Sequence, residues 1–337
     1  MTTDTDLFCD YCESENLVSP MVSRNSYSSP KPRCPRCNHQ DSSSCSCLNC
    51  KKRILEQKEL IYHRKREAIE SFYLVEHRSP PTINELSFKD AVYALSLIRH
   101  SLSEDLNYAE PFSEKSPSFS PTFGLTNEVV KHLYSKAFIA ICPQSNVDAF
   151  DYDEDLETTE AYYPTRVLWR FLPNYTKDEK KQFIQELEEL VNGDEQPEFW
   201  REHHNEVWMN IAKNECIEYL IYSANARGLK LESIGDKTHS VLEVILKDYS
   251  IGQVFNLIFT AARDTNDFAV RENIPRFQAR NMLIGSIQRK ADKAIAEDWT
   301  IRNSRRDFNC PQSVVSSTFF DTFLKLGNSV LETIISS

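Results

Sequence analysis

Apolar residues along the second half of this chain recur at spacings of three and four, the period of helices buried along one face. After Asn174 the pattern is helical almost to the end. Thr176 with Glu179 forms a capping box for a helix over Lys177–Val191. Phe199–Ala226 reads as one long amphipathic helix that Gly228 ends. Further helices are predicted over Ser240–Lys247, Ile251–Phe268 and Pro275–Glu297, with two short ones between Gln312 and Ile335. Upstream, Lys51–His77 is a charged helix with a broken stripe of Ile54, Leu55, Leu60, Ile61, Ala68, Ile69 and Phe72. Pro80-Pro81 stops it.

Between these helical regions the pattern is mixed. Ser87 with Asp90 opens a helix over Phe88 to about Ser101. Ser103–Leu125, rich in proline and serine, reads as loop or linker, and a helix follows near Asn127–Lys136. Phe138–Pro143 and Arg166–Leu172 are the strand candidates, expected to share a small sheet. Only seven glycines in 337 residues favour helices over a turn-rich β architecture.

The first fifty residues break the pattern, because they hold few large apolar groups. Burial alone cannot stabilise so small a segment, and such modules rely on metal or disulfides. Seven of the chain's ten cysteines lie here, six of them in C-x-x-C pairs: Cys9/Cys12, Cys34/Cys37 and Cys47/Cys50. Cys45 is the seventh, and His39 sits between the second and third pairs. The spacing suits a tight turn that points two thiolates at one ion, and zinc takes four such ligands. The acidic N-terminus, Met1–Cys12, lacks the apolar core of a secretory signal, and no run of about 18 apolar residues exists to span a membrane. The cysteines are therefore read for a reducing, cytoplasmic setting, where metal ligation is commoner than disulfides. Redox dithiols normally accompany a βαβ pattern, which is missing.

These knuckles resemble those of zinc-ribbon and related zinc-finger modules, with CPRC at Cys34–Cys37 the closest match. The resemblance covers about residues 9–50, implies one or two structural zinc ions and leaves the activity open. Eight candidate ligands leave several connectivities open. A single ribbon can use Cys9, Cys12, Cys34 and Cys37, or Cys34, Cys37, Cys47 and Cys50. A cross-braced pair of sites would join Cys9/Cys12 to His39/Cys45 and Cys34/Cys37 to Cys47/Cys50.

Net charge is −11, which argues against a chain coated in nucleic acid but not against local basic surfaces. Between Met21 and Arg53 seven Lys or Arg face one carboxylate, with Arg33, Arg36, Lys51, Lys52 and Arg53 beside the knuckles. A second group between Arg271 and Arg306 includes Arg276, Arg280, Arg289 and Lys290. Either can neutralise phosphates, or can pair with the chain's own acids.

Catalytic signatures are absent: there is no phosphate loop, no dinucleotide fingerprint and no nucleophile elbow. Glu202–Glu206 lacks the metalloprotease order, although His204, Trp208, Ile211 and Glu215 share a helix face. The acidic run Asp148–Glu160 reads as a solvated loop. Cys142, Cys216 and Cys310 read as core thiols.

The expected fold class is mainly α (α+β). A zinc-binding module (1–53), a linking helix (54–78), a mixed α/β segment (79–175) and a helical domain (176–337) follow one another. The expected function is a zinc-binding, non-enzymatic regulatory factor that contacts nucleic acid or a protein partner, with no membrane association. The alternative is an enzyme, a hydrolase or nuclease, with its site in the helical body around His204 and Glu215.

Overall fold

The computed structural model describes residues 34, 36–39, 45–73, 79–112, 116–193, 196–231 and 233–334. In chain order its elements are α1 (Leu48–Tyr73), α2 (Phe88–Ser101), β1 (Tyr108–Ala109), α3 (Phe123–Ser135), β2 (Ile139–Ile141), β3 (Phe150–Tyr152), β4 (Thr159–Tyr162), β5 (Trp169–Phe171), α4 (Lys177–Asn192), α5 (Arg201–Asn225), α6 (Asp236–Ile245), α7 (Ile251–Arg271), α8 (Arg276–Ala296) and α9 (Val314–Ser317). The protein is mainly α with a small β element. Two compact units divide it: residues 1–74 with 150–161, and residues 75–149 with 162–337.

Helix starts follow local hydrogen-bond chemistry. Ser87, Thr176 and Ser250 each accept from a backbone N–H three residues on, and Asp90, Glu179 and Gln253 return the bond. Gly228, at φ +68°, follows the end of α5. The two strand candidates pair antiparallel, Ile139 opposite Phe171 and Ile141 opposite Trp169. A third strand completes this sheet: β1 pairs with the other edge of β5.

Two expected loops contain short regular elements. The segment from Ser103 contains β1, and α3 begins at Phe123, because the Thr122 hydroxyl accepts from the Leu125 N–H and caps the helix ahead of Asn127. The acidic run forms the β3–β4 hairpin. Its turn closes on Asp153, whose carboxylate accepts from the N–H groups of Glu157 (2.8 Å) and Thr158 (3.2 Å) and from the Thr158 hydroxyl (3.0 Å). The acids of the run stay largely exposed, as the charge pattern expects, while local hydrogen bonds order its turn.

The larger unit is built around α5. Phe88 of α2 meets Trp200, Phe319 and Phe323, and the Trp200 indole donates to the Leu86 carbonyl at 2.7 Å. On the other side Tyr219 stacks on Phe255 of α7 with ring centroids 4.3 Å apart. In the smaller unit, Ala68, Ile69 and Tyr73 at the end of α1 are buried, and Tyr73 meets Phe150 and Thr159 of the hairpin. From Lys51 to Arg64 the same helix is exposed on every side.

Candidate metal centre

The Cys34–His39 segment folds back on itself. The Cys34 N–H donates to the His39 carbonyl at 2.7 Å, the Asn38 N–H donates to the Cys34 carbonyl at 2.9 Å, and Asn38 takes a left-handed φ of 58°. Asparagine tolerates that conformation better than most residues. The turn delivers His39 to the next cysteines. Cys47 immediately precedes α1 and Cys50 lies in its first turn, and the Cys50 N–H points at the Cys47 sulfur at 3.4 Å.

The side chains of His39, Cys45, Cys47 and Cys50 converge, with their ligand atoms all within 4.8 Å of one another. His39 Nδ1 lies 3.1 Å from Cys50 Sγ and 3.9 Å from Cys47 Sγ. A tetrahedron with metal–sulfur bonds of about 2.3 Å and a metal–nitrogen bond of about 2.0 Å has edges of roughly 3.5–3.8 Å. The observed separations bracket that range, and three thiols with one imidazole are a donor set that suits zinc. Electrostatics favours a cation as well. Burial and the neighbouring Cys47 and Cys45 push the Cys50 thiol up to about 11, since clustered thiolates repel. A divalent ion at the centre reverses that repulsion.

Of the eight expected ligands, these four are brought together. Cys9 and Cys12 lie outside the described residues. Cys34 is buried and Cys37 half-buried in the turn, and neither belongs to the cluster. Among the described residues the grouping is His39 with Cys45, Cys47 and Cys50, and the expected connectivities that use Cys9 and Cys12 lie outside them. The reason is local: the closed turn presents the histidine at its end, and Cys45, Cys47 and Cys50 follow within a few residues on the approach to α1.

The basic candidates separate in the same way. Arg36, Lys51, Lys52 and Arg53 are exposed around the metal cluster and the start of α1, and Arg33 lies outside the described residues. Lys52 lies 3.7 Å from the Glu56 carboxylate, and three of the second group are bound to their own chain. Arg276 donates to Asn266 and to the Arg227 carbonyl, Arg280 to the Lys230 carbonyl at 3.3 Å, and Lys290 to Asp264 at 2.6 Å. Arg289 lines a small cavity beside that last pair.

In the helical body, the face of α5 carrying His204, Trp208, Ile211 and Glu215 is turned inward. The His204 ring packs tilted against Phe88 with centroids 4.1 Å apart, and Trp208 packs on Phe319 and Phe320. Glu215, with no exposure, accepts from Arg306 and from the Ser316 hydroxyl. His204 and Glu215 serve different surroundings: His204 lines a cavity with Glu198, Arg201 and Lys325, which Glu215 does not reach. Sequence reasoning missed the Glu215–Arg306 pair, although a glutamate sharing a face with Trp208 and Ile211 was its signal. No helix among the described residues is long and apolar enough to cross a membrane.

Comparison with known proteins adds little chemistry. Over 55 residues the chain is 42% identical to an uncharacterized protein of Rickettsia conorii; the match covers 16% of this chain and 66% of that protein. No family model matches the chain. No solved structure matches it.

Proposed function

We propose that the cluster of His39, Cys45, Cys47 and Cys50 is a structural zinc site, and that the helix leaving it is a docking element for nucleic acid. The observation that carries this reading is the exposure of α1 on every side from Lys51 to Arg64, directly after the two cysteines at its start. Over Lys51–Arg66 the helix carries Lys51, Lys52, Arg53, Lys58, Arg64, Lys65 and Arg66 against Glu56 and Glu59. An isolated helix of this composition is marginal in water, so a metal clamp on its first turn fixes it for a partner. A polyanion supplies the complementary charge, and phosphate contacts from basic side chains around an exposed helix require no catalytic machinery. Fluorescence anisotropy with labelled single- and double-stranded oligonucleotides tests it. Binding should weaken steeply with salt, and Lys51→Glu/Lys52→Glu/Arg53→Glu should flatten the log–log slope by about 2–3. Absence of binding at 50 mM salt, with zinc loaded, overturns it.

A second reading, an enzyme in the helical body, rests on His204. Its Nε2 is buried without a hydrogen-bond partner at the edge of a cavity of about 560 Å³ shared with Glu198, Arg201 and Lys325. Burial, then Arg201, lowers its pKa, which keeps the imidazole neutral and able to accept a proton. Phosphodiester hydrolysis by the full chain that disappears in His204→Gln supports this reading; hydrolysis unaffected by that change, or none at all, removes it.

A further inference from the structure

In the larger unit, the start of α3, the middle of α5 and the approach to α6 line an open cavity of about 640 Å³, a volume that suits a small molecule. Gly124 lies on its wall, in the first turn of α3. Glycine is the weakest helix former after proline, and neither conformation nor packing calls for it here. Its φ is not among the positive ones, and an added Cβ would meet nothing closer than the Thr122 hydroxyl at 3.8 Å. Folding does not need this side chain to be missing. The space it leaves belongs to the cavity.

The lining has two chemistries. Ile217, Ile221 and Ile234 supply an apolar wall, while Lys213 and His239 face the same space. Lys213 supplies ammonium donors on this wall. Glu128, the acid among the described lining residues, already accepts from Lys89 at 2.8 Å and from Asn210 at 3.0 and 3.1 Å, and these bonds hold its carboxyl below the usual range against the pull of burial. Lys213 meets Glu243 at 3.1 Å, but an ammonium carries three N–H donors, so two remain. A ligand that completes this site brings acceptors at one end and apolar surface at the other.

We propose that this cavity binds a small amphipathic anion, its head against Lys213 and His239 and its hydrocarbon body along the isoleucine wall over Gly124. The site is independent of the metal centre and of its reading as a nucleic-acid module. Isothermal titration calorimetry on the full chain tests it with octanoate, octyl phosphate, octanol and octylamine as probes. One-to-one binding of octanoate or octyl phosphate is expected, at least tenfold tighter than that of octanol or octylamine, and the tighter of the two anions identifies the head group. Gly124→Leu should abolish it without lowering the melting temperature. Lys213→Met should weaken the anions tenfold or more and leave octanol unchanged. Should Gly124→Leu fail to fold, Ile234→Trp fills the same space from the facing loop and should block binding likewise. The proposal is overturned if no probe gives saturable heat at millimolar concentration, if octylamine binds as tightly as the anions, or if a folded cavity-filling variant binds unchanged.

Discussion

His39 Nδ1 sits 3.1 Å from the Cys50 sulfur, across eleven residues of chain. One residue ends a closed turn and the other lies in the first turn of α1, so this approach ties two local structures that have almost no apolar surface to share. The candidate metal site is thereby also the start of the helix. Cys50→Ser is expected to lose the metal and to fray the exposed part of α1, whereas Cys142→Ser, in the larger unit, should leave both intact. Metal content and far-ultraviolet circular dichroism measure the two effects, and equal metal content in both variants would refute the assignment.

Arg306 compensates a carboxylate that has no access to water. Glu215 is fully buried and its two oxygens are taken by Arg306 and Ser316. Removing one partner of such a pair leaves an unpaired buried charge and costs about 3–5 kcal/mol. Arg306→Met should therefore lower unfolding free energy in urea by that order, and adding Glu215→Met should recover part of it. Additive losses in the double variant would contradict the pairing.

Two carboxyls give opposite pH dependences. Burial, then Glu215, raises Glu218 from 4.5 to about 8. The folded state holds this proton where the unfolded state has released it, so its contribution is full below pH 4.5 and is lost as pH rises toward 8. Glu218→Gln should remove that decline in urea titrations between pH 5 and 8. Asp90 is the reverse case. Burial opposes its charge, but bonds from His132 and Ser87 prevail and lower its pKa. Its contribution is present above the ordinary value of 3.8 and fades as pH falls through the folded value. Asp90→Asn should flatten the acid limb of the stability curve.

Gly252 marks a close approach of backbone. A Cβ there would meet the Leu331 carbonyl at 2.5 Å and the Ser304 carbonyl at 3.0 Å, and the Ser304 N–H donates to the Gly252 carbonyl at 2.9 Å. Gly252→Ala should cost about 1–3 kcal/mol through this crowding, with hydrogen exchange accelerating in residues 299–313 and 327–334. Unchanged stability would show that these segments yield freely.

Helices were legible wherever capping chemistry and periodicity coincided, as at Ser87/Asp90 and Thr176/Glu179. The paired strands β2 and β5 were legible because Phe138–Pro143 and Arg166–Leu172 are mostly apolar and too short for helices. The third strand was not: Tyr108–Ala109 is two residues long, and its place is set by pairing with β5 rather than by its own composition. Similarly, the cysteine pairs announced a metal module, but spacing alone could not choose the ligands. The choice depends on the left-handed Asn38 turn, which brings the histidine to the later cysteines. The long-range pair Glu215–Arg306, 91 residues apart, leaves only half of its signature on either element.

The central claim is the metal centre itself. Elemental analysis of the full chain, purified without chelator or added metal, measures it most directly. The proposed zinc site predicts at least one zinc per chain, falling by one equivalent in Cys47→Ser/Cys50→Ser. Less than one zinc per chain with no other metal in its place, or a variant that keeps the full complement, would contradict it.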